Sequence, residues 1–199
     1  MHRFDVETLA AGRWRNGGGV TREIVSWPAG AADFAWRASV ADIEADGPFS
    51  AFPGVDRTFT LLAGGGVRLT APGGFDRTAR QGEPLAFPGD LELTAELVAE
   101  PPGGACRVLN LMVRRGRWTV RVERVTGAVA PPAGHAGVLL VRRGLWRAGG
   151  EEHPLSAGRG VWWGGGEGVG GEGVGGEGLV PLSSEAVALW ADLAPAPGY

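Results

Sequence analysis

The sequence predicts an all-β sandwich or barrel, and three observations carry that expectation. Short runs alternate apolar and polar residues with a period of two. Glycine or proline turns separate them at the roughly 8–12-residue spacing of such folds, and scarcely any stretch keeps a helical period.

Taken in order, Phe34, Trp36, Ala38 and Val40 alternate with Ala35, Arg37, Ser39 and Ala41, which reads as a strand on which Arg37 and Ser39 share a face. Residues 58–62 and 67–70, joined through Gly64-Gly65-Gly66, read as a hairpin with a glycine-permitted turn. Further strands are expected at 85–87, 91–98, 108–114 and 118–125, with Phe87-Pro88-Gly89-Asp90 as a turn whose backbone proline and glycine preset. The pattern continues at 138–142, 145–148 and 161–163. The last element, 184–193, admits two readings. Ser183 or Ser184 is fit to cap a helix, while Val187, Leu189, Ala191 and Leu193 alternate with their neighbours and favour a strand. Residues 165–179 are three copies of one pentapeptide, beginning Gly165-Gly166-Glu167-Gly168-Val169, and are read as a flexible glycine- and glutamate-rich loop over 164–178 with no function.

Composition narrows the function. With 199 residues, 44% of them hydrophobic, and eight tryptophans, the chain can build a sizeable core. A net charge of −3 and no basic run longer than Arg114-Arg115 or Arg142-Arg143 argue against nucleic acid. No apolar run approaches the ~18 residues of a membrane span. The single cysteine, Cys106, allows no internal disulfide, and Met1-His2-Arg3-Phe4-Asp5 shows no signal-peptide pattern, so a cytoplasmic location is expected. Every basic residue among the 19 is arginine, which removes phosphate-binding loops of the Walker type and lysine Schiff bases. His2, His135 and His153 are scattered, so neither a metal site nor a cofactor is expected. Cys106 has no histidine near it in sequence and no Gly-x-Ser-x-Gly elbow occurs, so no nucleophile is visible.

The most informative segment is Trp14-Arg15-Asn16-Gly17-Gly18-Gly19-Val20-Thr21-Arg22-Glu23. Three glycines there follow one of only two asparagines in the chain. They permit positive φ and close approach, while Asn16 offers both donors and an acceptor. The second asparagine, Asn110, sits in the apolar run Val108-Leu109-Asn110-Leu111-Met112, where an unpartnered amide costs about 1–3 kcal/mol. Each feature also has a structural reading. Asn16 is suited to shape a turn, Arg37 and Arg57 to pair with Asp42, Asp46 or Asp56, Asn110 to satisfy a core backbone group, and Trp36 and Phe34 to fill the core.

The sequence resembles the HutD/Ves family. The resemblance rests on Trp14-x-Asn16-Gly17-Gly18-Gly19-x-Thr21-Arg22-Glu23, Phe34-x-Trp36-Arg37-x-Ser39, the run from Asp46-Gly47-Pro48-Phe49-Ser50-x-Phe52 through Pro53-Gly54-Val55-Asp56-Arg57, Phe87-x-Gly89-Asp90, and Asn110-Leu111-Met112-x-Arg114-Arg115-Gly116. Val108 stands where such proteins usually carry an aspartate. The resemblance implies a bicupin, two cupin-like barrels packed as one unit without the metal motif of metal-bearing cupins, and it divides the chain into 1–116 and 117–199. It also implies an association with bacterial histidine utilisation.

The residues then suggest a pocket for a small anionic metabolite. Arg37 and Arg57 would clamp carboxylates, with Asn16, Ser39, Ser50 and Asn110 as neutral contacts and Trp14, Trp36 or Phe49 as an apolar wall. The candidate site is Trp14, Asn16, Thr21, Arg37, Ser39, Ser50, Arg57 and Asn110. Urocanate, formiminoglutamate and formylglutamate fit it, and the leading expectation is a non-catalytic binding protein that modulates histidine degradation. One alternative is a metal-independent enzyme using Asp46, Asp56 or Asp90 as acid or base. The other is an interaction module with an exposed face of Trp146, Trp162, Trp163 and Trp190, and a homodimer is among the partners considered.

Overall fold

A computed structural model describes residues 1–31, 33–98, 104–165 and 178–197; the loop expected over 164–178 falls almost wholly outside them. The chain opens with β1 (His2–Asp5) and a single 3-10 turn over Val6–Thr8, capped by the Asp5 carboxylate on Glu7 N–H. Next come β2 (Ala11–Arg13), β3 (Gly19–Trp27), β4 (Trp36–Ile43), β5 (Gly47–Pro48) and β6 (Val55–Ala63). They are followed by β7 (Val67–Ala71), β8 (Phe75–Ala79), β9 (Pro84–Pro88), β10 (Thr94–Leu97) and β11 (Cys106–Arg114). The remaining strands are β12 (Trp118–Val125), β13 (Ala136–Arg143), β14 (Trp146–Ala148), β15 (Arg159–Trp163), β16 (Leu179–Pro181) and β17 (Val187–Pro195).

Two compact units emerge, Ala10–Arg115 and Met1–Leu9 with Gly116–Tyr199. Met1–Leu9 groups with the chain's second part, because β1 pairs antiparallel with β15. In the Ala10–Arg115 unit a six-stranded sheet, β2-β3-β4-β11-β6-β9, faces a four-stranded one, β5-β10-β7-β8. The other unit has a five-stranded sheet, β1-β15-β13-β17-β12, and the pair β14-β16. Both large sheets contain the order first, last, second, third: β4-β11-β6-β9 in one and β12-β17-β13-β15 in the other. The last strand of each set thus inserts between the first two, and the same arrangement occurs in both units.

Strands 58–62 and 67–70 both form, within β6 and β7, but they are not a hairpin. β6 pairs with β11 and β9, whereas β7 pairs with β10 and β8 in the other sheet. The glycine turn is a corner. Phe59 and Leu61 on one strand and Val67 and Leu69 on the other bury their side chains in one shared core, reached from two different sheets. Gly64, at φ +105°, makes that corner, and a Cβ there would lie 2.5 Å from Cys106 Sγ.

The expected strand 91–98 shortens to Thr94–Leu97, because the Leu93 carbonyl is bonded to Phe49 N–H at 2.8 Å instead of extending a ladder. The last element is a strand, inserted between β13 and β12. Both its faces are buried from Val187 to Ala191, which is why neither period stood out in sequence. β3 escaped notice because a bulge between Glu23 and Val25 breaks its alternation and buries both Ile24 and Val25.

The second unit's core corrects the interaction-face expectation. Trp146, Trp163 and Trp190 are buried there with Leu139 and Val141, and only Trp162 stays partly open, stacked on the His2 ring at 4.1 Å.

Asp42 stitches three strands of the first unit. Its carboxylate accepts from Arg22 Nη1 at 2.6 Å and from Arg107 Nε and Nη2 at 2.6 and 3.1 Å, joining β4 to β3 and β11. Burial opposes ionisation, but the Arg107 and Arg22 guanidinium groups outweigh it and hold the carboxyl below its ordinary range. Asp42→Asn should destabilise the protein by about 2 kcal/mol at pH 7, since two partly buried cations lose their carboxylate. A depressed folded pKa contributes stability that is complete above the unfolded value of about 4 and is lost as pH falls through the folded one. Urea midpoints of wild type and variant should therefore keep a constant gap from about pH 7 to 5 and converge in stronger acid. A gap that widens in acid would contradict the assignment.

Candidate functional site

Register brings the site together. Across β4, β11 and β6, Arg37 lies beside Met112 and Met112 beside Arg57; one step along, Ser39 lies beside Asn110 and Asn110 beside Phe59. Residues two apart share a face, so Arg37, Ser39 and Ala41, Met112, Asn110 and Val108, and Arg57 and Phe59 line one inner surface. Thr21 joins it from β3, opposite Ala41.

This surface floors a cavity of about 550 Å³ within the Ala10–Arg115 unit. All eight sequence candidates line it: Trp14, Asn16, Thr21, Arg37, Ser39, Ser50, Arg57 and Asn110. Phe49, expected in the apolar wall, lines it too, and so do Arg13, Arg15, Ile43, Pro48, Phe52, Phe59, Val108 and Met112, which were not named as site residues from sequence. Alternation hinted at Val108, Met112 and Phe59, each two residues from a candidate. Trp36 is corrected: it alternates with Arg37, is fully buried, and is not part of the wall, which Trp14 and Phe49 do supply.

The mouth is built by the glycine-rich segment. Gly17 takes φ +73°, and Asn16 Oδ1 accepts from Gly18 N–H at 3.0 Å, so the asparagine does shape the turn. Its Nδ2 also donates to the Pro48 carbonyl at 3.3 Å, tying this turn to the segment that carries Phe49 and Ser50. Trp14 Nε1 donates to Thr21 Oγ1 at 2.8 Å, and its ring meets Phe49 edge-on at 5.6 Å.

Arg57 is the electrostatic centre. It is 6% exposed, and no carboxylate lies within ion-pair distance of it among the described residues. Nε and Nη2 both donate to Asn110 Oδ1, and Nη1 to the Ser50 carbonyl, each at a long 3.4 Å. The faces of Phe49, Phe52 and Phe87 surround it at 5.3–5.6 Å. Burial, and then the positive charge of Arg37, push its pKa down to about 10, so it remains a cation at neutral pH. Three of its five N–H groups are engaged, which leaves one on each terminal nitrogen for a two-oxygen acceptor.

Arg37 pairs with Glu23 at 2.7 Å, not with Asp42, Asp46 or Asp56. Asp56 and Asp90 both hold Arg115, and Asp46 accepts from Leu97 N–H at 2.7 Å. Gly54 N–H and then Arg115 keep the Asp90 carboxyl below its ordinary range. These carboxylates fasten loops, and none of the three lines the cavity, so the acid–base role weighed for them has no place at this site. The lining holds no histidine, cysteine, aspartate or glutamate, hence no usual metal ligand.

The HutD family model matches residues 6–175. Protein Ves of Citrobacter koseri is 35% identical over 199 residues, covering 100% of this chain and 97% of that protein. HutD from Pseudomonas fluorescens SBW25 has a similar structure, with a TM-score of 0.74 and 25% identity over 98% of this chain and 97% of its own. Oxalate decarboxylase from Bacillus subtilis shares the fold at a TM-score of 0.62 and 9% identity, over 100% of this chain and 78% of that one. The two units with this repeated strand order are thus the cupin-like barrels of a bicupin. With its family model matched over residues 6–175 and its motifs gathered around one cavity, the chain belongs to the HutD family.

Proposed function

We propose that the protein binds a small carboxylate metabolite of histidine degradation in this cavity and thereby modulates that pathway. The candidates are urocanate, formiminoglutamate and formylglutamate. The observation that carries the reading is Arg57: a buried cation with no carboxylate partner among the described residues and two N–H groups left over. Such a group is unfavourable in isolation, and an anion that enters and meets it restores the missing pairing. The ligand's carboxylate docks end-on against Arg57, Asn110 and Ser50 fix the plane of the guanidinium, and Trp14, Phe49 and Phe59 enclose the carbon skeleton. Arg37 adds positive potential from the neighbouring strand. The histidine-utilisation context comes from the family's name and is part of the proposal.

A thermal-shift screen of the three acids tests this. A ligand at 100 times its Kd should add about 2.7 kcal/mol of stability, and at least one acid should do so. No shift with any of them at millimolar concentration would sink the reading.

A further inference from the structure

The charged side chains that line the cavity are all arginines, and this sets the kind of carboxylate it accepts. Arg37 and Arg57 bring guanidinium N–H groups, and Asn110 Nδ2 has no partner among the described residues. The amide and carbonyl oxygens at the site each already accept at least one hydrogen bond. Asn110 Oδ1 and the Ser50 carbonyl accept from Arg57, and the Pro48 carbonyl accepts from Asn16. The carboxylates that pair with lining arginines, Glu23 with Arg37 and Glu44 with Arg13, are not themselves part of the lining. An ammonium group brought in with a ligand would need up to three acceptors and would meet hydroxyls and carbonyls already accepting a hydrogen bond, with no carboxylate in the lining to offset two guanidinium charges.

We infer that the cavity selects carboxylates that carry no positive charge, namely deaminated or N-acylated acids, over free α-amino acids of the same skeleton. The inference rests on the carboxylate reading above and narrows it. Urocanate and formylglutamate satisfy it, whereas formiminoglutamate, whose amidine is protonated at neutral pH, falls with the amino acids. The protein would then sense acids whose amine has been eliminated or blocked and stay silent to their parent amino acids.

Matched pairs test this by isothermal titration calorimetry of the wild-type protein at pH 8, where imidazoles are neutral and α-amino groups are still protonated. Urocanate against histidine, and formylglutamate against glutamate, differ chiefly in that one charge. The uncharged-nitrogen member of each pair that binds should have a Kd at least tenfold lower, and formiminoglutamate should bind at least tenfold more weakly than formylglutamate. A ratio below ten in any binding pair overturns the selectivity while leaving the carboxylate reading intact. If no acid binds at all, the proposed function fails, and this inference falls with it.

Discussion

An Arg57→Met variant should lose carboxylate binding and yet resist urea better than the wild type. The two effects share one cause. At pH 7 the guanidinium is charged, 6% exposed and without a carboxylate partner among the described residues, and its pKa of about 10 means that the fold disfavours the charged form. That depression corresponds to about 3 kcal/mol. Methionine is unbranched and apolar, so it can occupy the space among Phe49, Phe52 and Phe87 without importing a charge. Allowing for the lost contacts with those rings, the net gain should be about 1–2 kcal/mol, read as a higher urea midpoint at an unchanged slope. Affinity for the ligand should fall by roughly 2–5 kcal/mol, at least thirtyfold in Kd. The pH dependence has a definite sign. Above about pH 10 the folded wild type sheds the Arg57 proton while the unfolded chain keeps it, so wild-type stability rises there and the variant's advantage shrinks; from about pH 6 to 9 the advantage should be flat. A variant that binds the acids as the wild type does, or that is destabilised by more than about 1 kcal/mol, would show Arg57 to be structural.

The three glycines should give three different responses to alanine. Gly19→Ala should be the most damaging, at about 3 kcal/mol, because a Cβ there would sit 2.3 Å from the Asp42 carbonyl oxygen, a backbone atom of the paired strand. It would also press on Trp14, 3.3 Å away, and so should weaken ligand binding through the cavity rim. Gly17→Ala meets nothing within 4 Å but keeps φ +73°, so it should cost about 1 kcal/mol through backbone strain alone. Gly18→Ala meets Asn16 Oδ1 at 3.4 Å, an ordinary contact, and should change stability by well under 1 kcal/mol. Urea denaturation of the three variants checks the order. A Gly18 variant as unstable as the Gly19 variant would mean that the turn is held by something other than the approach to Asp42.

Alternation was enough to put Arg37 and Ser39 on one face, and two isolated asparagines were enough to mark Asn16 and Asn110 as placed. Those signals are local. Each depends on residues two or three apart, where chain geometry alone fixes which side chains look the same way. Strands β12, β13 and β15 were legible for the same reason. β3 was not, because its bulge moves the buried face from one parity to the other partway along. The glycines at 64–66 looked like a hairpin because a turn's sequence records that the chain bends, not whether the next strand pairs back or crosses to a second sheet. The tryptophans of the second half looked available for a partner because burial is a property of the whole core, not of composition.

By itself, then, the sequence determined the all-β class, most of the strands and the identity of the groups that gather at the cavity. Tertiary structure alone decided that β11 runs between β4 and β6, which puts Asn110 against Ser39 on one side and Phe59 on the other and sets Arg57 beside them with no carboxylate partner among the described residues. The physical reason is range: side-chain direction follows from the backbone within a few residues, whereas register, burial and the missing counter-ion depend on which distant strands the shared core brings side by side.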